Sequence, residues 1–301
     1  MIRKDLSHMN YDQPPVENNR RLFLPRIVEY WEQDREAPSN PEGTRWRGSQ
    51  AASCARQIAY ATAGSEETNP PGLADKWRMG LGSTVHEILA PAMERWAGKD
   101  SSLNIIEEWE TPLGEHGYGH ADMLIETGEG QRILLELKTI NGFGYKQSVE
   151  NSQGPRWSAV VQGSMYAHAA KADLLVIGYL AMELISPGRA AAKGIDEIGR
   201  FASEWHYTKE EFTPWAEAEI ARLEGITSEI HDKGVAAHDI PRRFSHYDPD
   251  IPFGAEVTAP SNGKWMLRNE EGAVVDSGST WMCNYCRFQK LCVKDNNEAA
   301  F

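Results

Sequence analysis

Asp122, Glu136 and Lys138 are the residues of this chain whose types and spacing best fit chemistry. Glu136 and Lys138 lie in ILLELKTI, residues 133–140, an aliphatic run preceded by the turn-like TGEGQ. Such a run reads as a central strand with both faces covered. A charge placed there must be paired or must hold a metal, because desolvating it unaided is costly. Residues two apart in a strand leave on the same face, so the carboxylate and the ammonium stand side by side. GYGHADMLIET and QRILLELKTI read as a hairpin around Gly128-Glu129-Gly130, with Gly130 suited to a left-handed position. A loop centred on Glu129 puts Asp122 opposite Glu136, where Cβ atoms are about 4.5–5.5 Å apart. A slip of one residue abolishes this. Two converging carboxylates and a lysine suit Mg2+ or Mn2+ and metal-assisted phosphodiester hydrolysis. The bare D…ExK spacing also fits a salt-bridged pair at a strand edge.

The second constellation is CNYCRFQKLC, which places Cys283, Cys286 and Cys292 near the C-terminus; Cys54 is the remaining thiol, more than two hundred residues upstream. Close-set thiols in a reducing compartment read as soft-metal ligands rather than disulfides. The first residues, MIRKDLSHMNYDQPPVENNRR, lack the apolar core of a signal peptide, and no run is long enough to span a membrane. The expected location is a cytoplasm, that of the host if the chain is phage-encoded. The 301 residues carry a formal net charge of −13, which argues against broad electrostatic adhesion to nucleic acid but not against a local basic groove.

The elements that must position these residues follow from periodicity. RLFLPRIVEYWEQDRE (21–36) reads as a helix. RGSQAASCARQIAYATAG starts another, with Cys54 in its first turns. PPGLAD is a loop, and KWRMGLGSTVHEILAPAMERWAG is a long helix with Met79, His86, Leu89 and Met93 roughly on one side. SLNIIEEWETPL, the two hairpin segments and LLVIGYLAMEL are strands; PRWSAVVQGSMYAHAAKA and TPWAEAEIARLEGITSEIHDKG are helices. KWMLRNEEGAVVDSG reads as a hairpin in an otherwise Pro- and Gly-rich stretch. The order α, β-β-β, α, β is a mixed α/β core, with residues 1–45 an N-terminal extension, 46–236 the core and 237–301 a C-terminal segment.

The motif order resembles the RecB-type branch of the PD-(D/E)XK nucleases. GSTVHEIL supplies His86, GHADMLIE supplies Asp122, LLELKTI supplies Glu136 and Lys138, and VVQGSMYAHA supplies Gln162 and Tyr166. The cysteine plan is similar to that of members carrying a [4Fe–4S] cluster, among them the CRISPR-associated RecB-like exonucleases and their phage relatives. The resemblance spans about residues 46–180 and 281–294. It implies a restriction-endonuclease-like mixed sheet flanked by helices, with the chain ends joined by a metal cluster. It implies a DNA exonuclease acting on single strands or ends, 5′→3′, in recombination, repair or phage DNA metabolism.

Asp122 and Glu136 would bind Mn2+ or Mg2+ with His86 and the Leu137 carbonyl, and Lys138 would be the catalytic lysine. Gln162 and Tyr166, four apart on one helix face, would position Lys138, the attacking water or a phosphate. Cys54, Cys283, Cys286 and Cys292 would ligate the cluster, with a structural Zn2+ as the alternative. Partners would be DNA and a recombinase or single-strand-binding protein, with no membrane. Each residue has a plainer reading: His86 a core histidine, Lys138 a snorkelling lysine, Gln162 and Tyr166 a polar stripe. Trp157 is the best stacking candidate, and Lys146, Arg156, Arg242 and Arg243 are candidate phosphate contacts. The alternative function is a DNA-end-binding or partner-binding module of a recombination or CRISPR-adaptation complex. An acidic nucleic-acid mimic is a third, against which the acids are spread along the chain.

Overall fold

A computed structural model describes residues 45–99, 102–244, 255–258, 266–269, 272–276 and 281–298. The chain divides into Met1–Pro41 and Glu42–Phe301; the first unit, and with it the helix expected over 21–36, lies outside the described residues.

The central sheet grows from the hairpin. β3 (Gly117–Thr127) and β4 (Arg132–Ile140) pair antiparallel, with Glu126 opposite Arg132 and Met123 opposite Leu135. The loop closes through Gly130 N–H to Thr127 O at 2.8 Å, with Gly130 at φ +83°. This is the register centred on Glu129. β1 (Trp46–Arg47) runs parallel to the start of β3, and β2 (Leu103–Pro112) pairs antiparallel along the whole other edge of β3. β5 (Leu174–Ala181) runs parallel to β4, and β6 (Ala202–Thr208) closes the sheet antiparallel to β5. The sheet is therefore mixed, in the order β1-β3-β4-β5-β6 with β2 on β3.

The helices are α1 (Ala55–Thr62), α2 (Leu73–Lys99), α3 (Gly142–Val149), α4 (Trp157–Ala169), α5 (Pro187–Lys193) and α6 (Lys209–His231). α4 covers β4 and β5. It can do so because of Gly163, where a Cβ would stand 2.7 Å from Ile177 Cδ1 and 2.9 Å from Leu175 Cδ1. α6 starts at a capping box in which Glu211 accepts from the Thr208 amide at 2.7 Å. It buries Glu219 against Arg222 at 2.6 Å, and Glu219 also accepts from the Ala52 amide at 2.8 Å. A second, smaller apolar core joins α1 to a three-stranded sheet, β7 (Glu256–Thr258), β8 (Met266–Arg268) and β9 (Val274–Asp276), and to α7 (Trp281–Asn284) and α8 (Gln289–Glu298). β8 and β9 form the hairpin expected there.

Several expectations are corrected. Cys54 is the N-cap of α1 rather than part of its first turns, because residues 46–50 are taken up by β1 and a 3-10 turn. α2 begins at Leu73, inside the stretch read as a loop, and leaves Met79 52 % exposed. α3, α5 and β6 are additional elements. β4 has one well-buried face, bearing Leu134 and Glu136, while Leu135 and Leu137 on the other are half-buried. Among the described residues no helix is long and apolar enough to cross a membrane.

Candidate active site

The β3–β4 ladder ends at Met123 opposite Leu135, so Asp122 and Glu136 are the next residues along the two strands. At that point the two strands part. The Leu137 amide, past the last ladder pair, donates to Asp122 Oδ2 at 2.7 Å. The carboxylate thus takes the place of a strand carbonyl, which fixes its position. Glu136 is 1 % exposed and packs under α4, with its Cβ 3.5 Å from where a Gly163 side chain would start. One Glu136 oxygen, Oε1, accepts from Lys138 Nζ at 2.6 Å; the other, Oε2, is buried with no partner among the described residues.

Lys138 Nζ also donates to Gln162 Oε1 at 3.1 Å, and Gln162 Nε2 donates to the Tyr166 hydroxyl at 3.3 Å. The i, i+4 pair on α4 therefore forms a line behind the ammonium. Tyr166 fits because both its neighbours lack side chains. A Cβ at Gly48 would overlap its hydroxyl, and one at Gly119 would lie 2.5 Å from its ring. α2 approaches from the side, with Gly82 placed 3.4 Å (as a would-be Cβ) from Thr139 Oγ1 and His86 Nδ1 3.5 Å from Asp122 Oδ1. The structure thus brings His86, Asp122, Glu136, Lys138, Gln162 and Tyr166 together. Of Leu137, it places the amide on Asp122.

Charge in this pocket is held against burial. Burial pushes Glu136 up to about 7, opposed by Lys138 and reinforced by Asp122. Burial likewise raises Asp122, while Lys138 and the Leu137 amide pull it down. For Lys138, burial favours the neutral amine, but the Glu136 and Asp122 charges outweigh it and the pKa is raised. Burial, then the Glu136 charge, keeps the Tyr166 phenol protonated. Glu108 is a residue that the sequence reading did not single out. Glu107 and Trp109 pair with Met123 and Ala121, so Glu108 lies across β2 from Asp122; it has a left-handed φ of 45°, and its charge adds to the rise of Asp122. The even spacing of the β2–β3 ladder was the available signal.

The cysteines also converge. Cys54, Cys283, Cys286 and Cys292 line one cavity of about 30 Å3 in the smaller core, with Tyr60 and Phe244. Burial raises Cys54, Cys283 and Cys286, the last to about 11, and in each case neighbouring cysteine charges add to the rise. Buried thiols in this state need a cation before they ionise. Arg242, expected as a phosphate contact, is corrected: it is 6 % exposed, and its Nε donates to Cys292 Sγ at 3.1 Å. Arg243 is exposed, and its carbonyl accepts from the Ala55 amide at 2.7 Å. Among the described residues, no three His, Cys, Asp or Glu side chains stand close enough together to hold an ion as placed.

No protein-family model matches the chain. No curated protein matches it either. Among solved structures it is similar to the crystal structure of SSO0001, at 16 % identity and a TM-score of 0.45, over 90 % of this chain and 94 % of that one. It is similar to an alkaline exonuclease (LHK-Exo) from Laribacter hongkongensis, at 12 % identity and a TM-score of 0.38, over 64 % and 95 %. It is also similar to a phage-related exonuclease from Haemophilus somnus 129PT, at 11 % identity and a TM-score of 0.39, over 60 % and 82 %. These scores lie below 0.5, so the functional reading rests on the site's own geometry.

Around the site, Trp157 opens α4, half-buried and edge-to-face with Trp215 at 5.3 Å, and Arg156 just before it is exposed. Lys146 lies on α3, half-buried.

Proposed function

We propose that this chain is a divalent-metal-dependent DNA nuclease of the RecB-like PD-(D/E)XK kind, an exonuclease on single strands or DNA ends. The observation that supports the reading is the end of the β3–β4 ladder, where Asp122 takes the Leu137 amide and Glu136 is paired with Lys138 two residues on. The partnerless, buried Glu136 Oε2 and the burial-raised carboxylates fit a bound cation. His86, Asp122, Glu136 and the Leu137 carbonyl would hold it, and an imidazole in that set favours Mn2+ over Mg2+. When bound, the metal supplies Lewis-acid polarisation of a phosphoryl oxygen and an acidified water.

The chain's own groups do the rest. Lys138, fixed by Glu136 and Gln162, places a positive charge where the phosphate gains negative charge, the setting in which a preorganised donor lowers the barrier most. Gln162 and Tyr166 hold Lys138 from behind and keep the pocket in one arrangement. Hydrolysis adds water across one P–O bond, and the released oxygen leaves with a proton. The 5′→3′ polarity, and a working place in recombination, repair or phage DNA metabolism beside a recombinase or single-strand-binding partner, come from the family resemblance.

In the same reading Cys54, Cys283, Cys286 and Cys292 hold a [4Fe–4S] cluster. The same four thiols could instead hold a structural Zn2+; the preference for the cluster comes from the family resemblance. The test of the active site is Lys138→Ala assayed on labelled single-stranded DNA with Mn2+. Cleavage is expected to fall at least about a hundredfold with the melting curve unchanged; cleavage at the parent rate would remove the site assignment.

A further inference from the structure

A groove beside the active site is not used by the chemistry above. It is bounded by α3, the loop that follows it, the start of α4 and strand β6, and encloses about 1160 Å3. Five of its lining residues are aromatic, Phe143, Trp157, Trp205, Tyr207 and Trp215, set among polar ones such as Gln147, Gln153 and Ser203; Phe143 is 72 % exposed and the other four are half-buried. Its charged lining residues are one cation, Arg156, and one anion, Glu204.

The groove and the catalytic residues share one face of the sheet. Glu136 pairs with Ile177 and Lys138 with Tyr179 on β5; Ile177 and Tyr179 pair in turn with Trp205 and Ser203 on β6. Residues paired across strands point the same way, so Lys138, Tyr179, Trp205 and Tyr207 form a row on one face. Contacts along the row are direct. The Tyr179 ring meets Trp205 edge-to-face at 5.2 Å, and the Tyr179 hydroxyl accepts from the Arg156 amide at 2.7 Å. A smaller cleft of about 180 Å3 contains Lys138 and Gln162, and Arg156 and Ser158 line both it and the groove. The two spaces therefore meet at Arg156.

We infer that the groove seats the bases of a single strand next to the phosphodiester held at Lys138, with Arg156 on the phosphate at the junction. The inference rests on the nuclease reading for the place of that phosphodiester. Aromatic faces stack bases of any sequence, whereas a duplex keeps its bases stacked on one another. Binding here must come from stacking rather than charge. The groove offers one cation, and the whole chain carries a formal charge of −13. Phosphate neutralisation would give a steep salt dependence; this groove predicts a shallow one.

The experiment uses the full chain with Lys138→Ala, so that bound DNA persists. A fluorescein-labelled oligothymidylate of about 12 nucleotides, within the span of known single-strand sites, and a duplex of the same length are titrated by anisotropy at several salt concentrations. Tryptophan emission is followed in parallel. The single strand is expected to bind more tightly than the duplex and to quench the tryptophans. The log–log salt slope should match one or two phosphate contacts, about −0.7 to −1.4. Adding Phe143→Ala or Trp205→Ala should weaken single-strand binding about fivefold to a hundredfold. Phe143 is exposed, so its variant keeps the fold and decides the matter if Trp205→Ala proves unstable. Unchanged affinity in Phe143→Ala, or a preference for duplex with a steep salt slope, overturns the groove assignment. Cleavage of the oligonucleotide by the parent chain with Mn2+ is scored separately: its absence counts against the nuclease reading, while the binding comparison still decides the groove.

Discussion

The carboxylate pocket and the cysteine cavity are both buried clusters of ionisable groups, but they are assembled in different ways. The pocket comes from the β3–β4 hairpin and α4, with His86 added from α2, and most of its polar groups are held by another: Leu137 by Asp122, Lys138 by Glu136 and Gln162, Gln162 by Tyr166. The cavity draws Cys54 together with residues 283–292, and its sulfurs meet backbone amides and, at Cys292, the Arg242 guanidinium. Hydrogen bonds already preorganise the first for chemistry. The second depends on what the sulfurs hold, so loss there should appear as lost structure rather than lost rate.

The largest effect that separates the two is expected for Cys286→Ala. Removing a ligand from a structural metal site forfeits folding energy directly, so its melting temperature should fall by roughly 10 °C or more, with loss of solubility. A variant as stable and soluble as the parent would show that the cavity is not a structural centre. Next comes the pH dependence of metal-free protein. Burial raises Glu136 in the folded state above its unfolded value of about 4.3. The folded state therefore holds a proton that the unfolded state has released; stability is full at low pH and falls as pH rises through the folded value. The slope should be shallower in Glu136→Gln, measured by denaturant unfolding at several pH values. Identical slopes in the two proteins would contradict the assigned burial. The smallest is Gly119→Ala, whose Cβ meets the Tyr166 ring. Overpacking there should cost about 1–3 kcal/mol and slow cleavage by loosening the line behind Lys138; an unchanged rate would leave Tyr166 without a positioning role.

The same contrast explains what could be read in advance. The hairpin was legible because alternation and a left-handed glycine pin its register, and a slip would turn Asp122 to the other face. The Gln162–Tyr166 pair follows from helix spacing alone. α3 was missed because Gly142 and Gly144 argue against helix; Asn141 caps it regardless, accepting from the Gly144 amide at 2.7 Å. β6 carried a usable signal, since Trp205 and Tyr207 alternate with the exposed Glu204 and His206. Arg242 looked like surface charge because its burial depends on a segment fifty residues onward. For the same reason the convergence of Cys54 on the C-terminal cysteines came only from the family resemblance and not from spacing.

The central claim is that Asp122 and Glu136 form one cation site. It is tested most directly by anomalous scattering from a crystal grown with Mn2+. The account predicts a peak touching both carboxylates, with His86 beside it. Manganese bound elsewhere, with Glu136 still paired to Lys138 and no peak between the two strands, would contradict it.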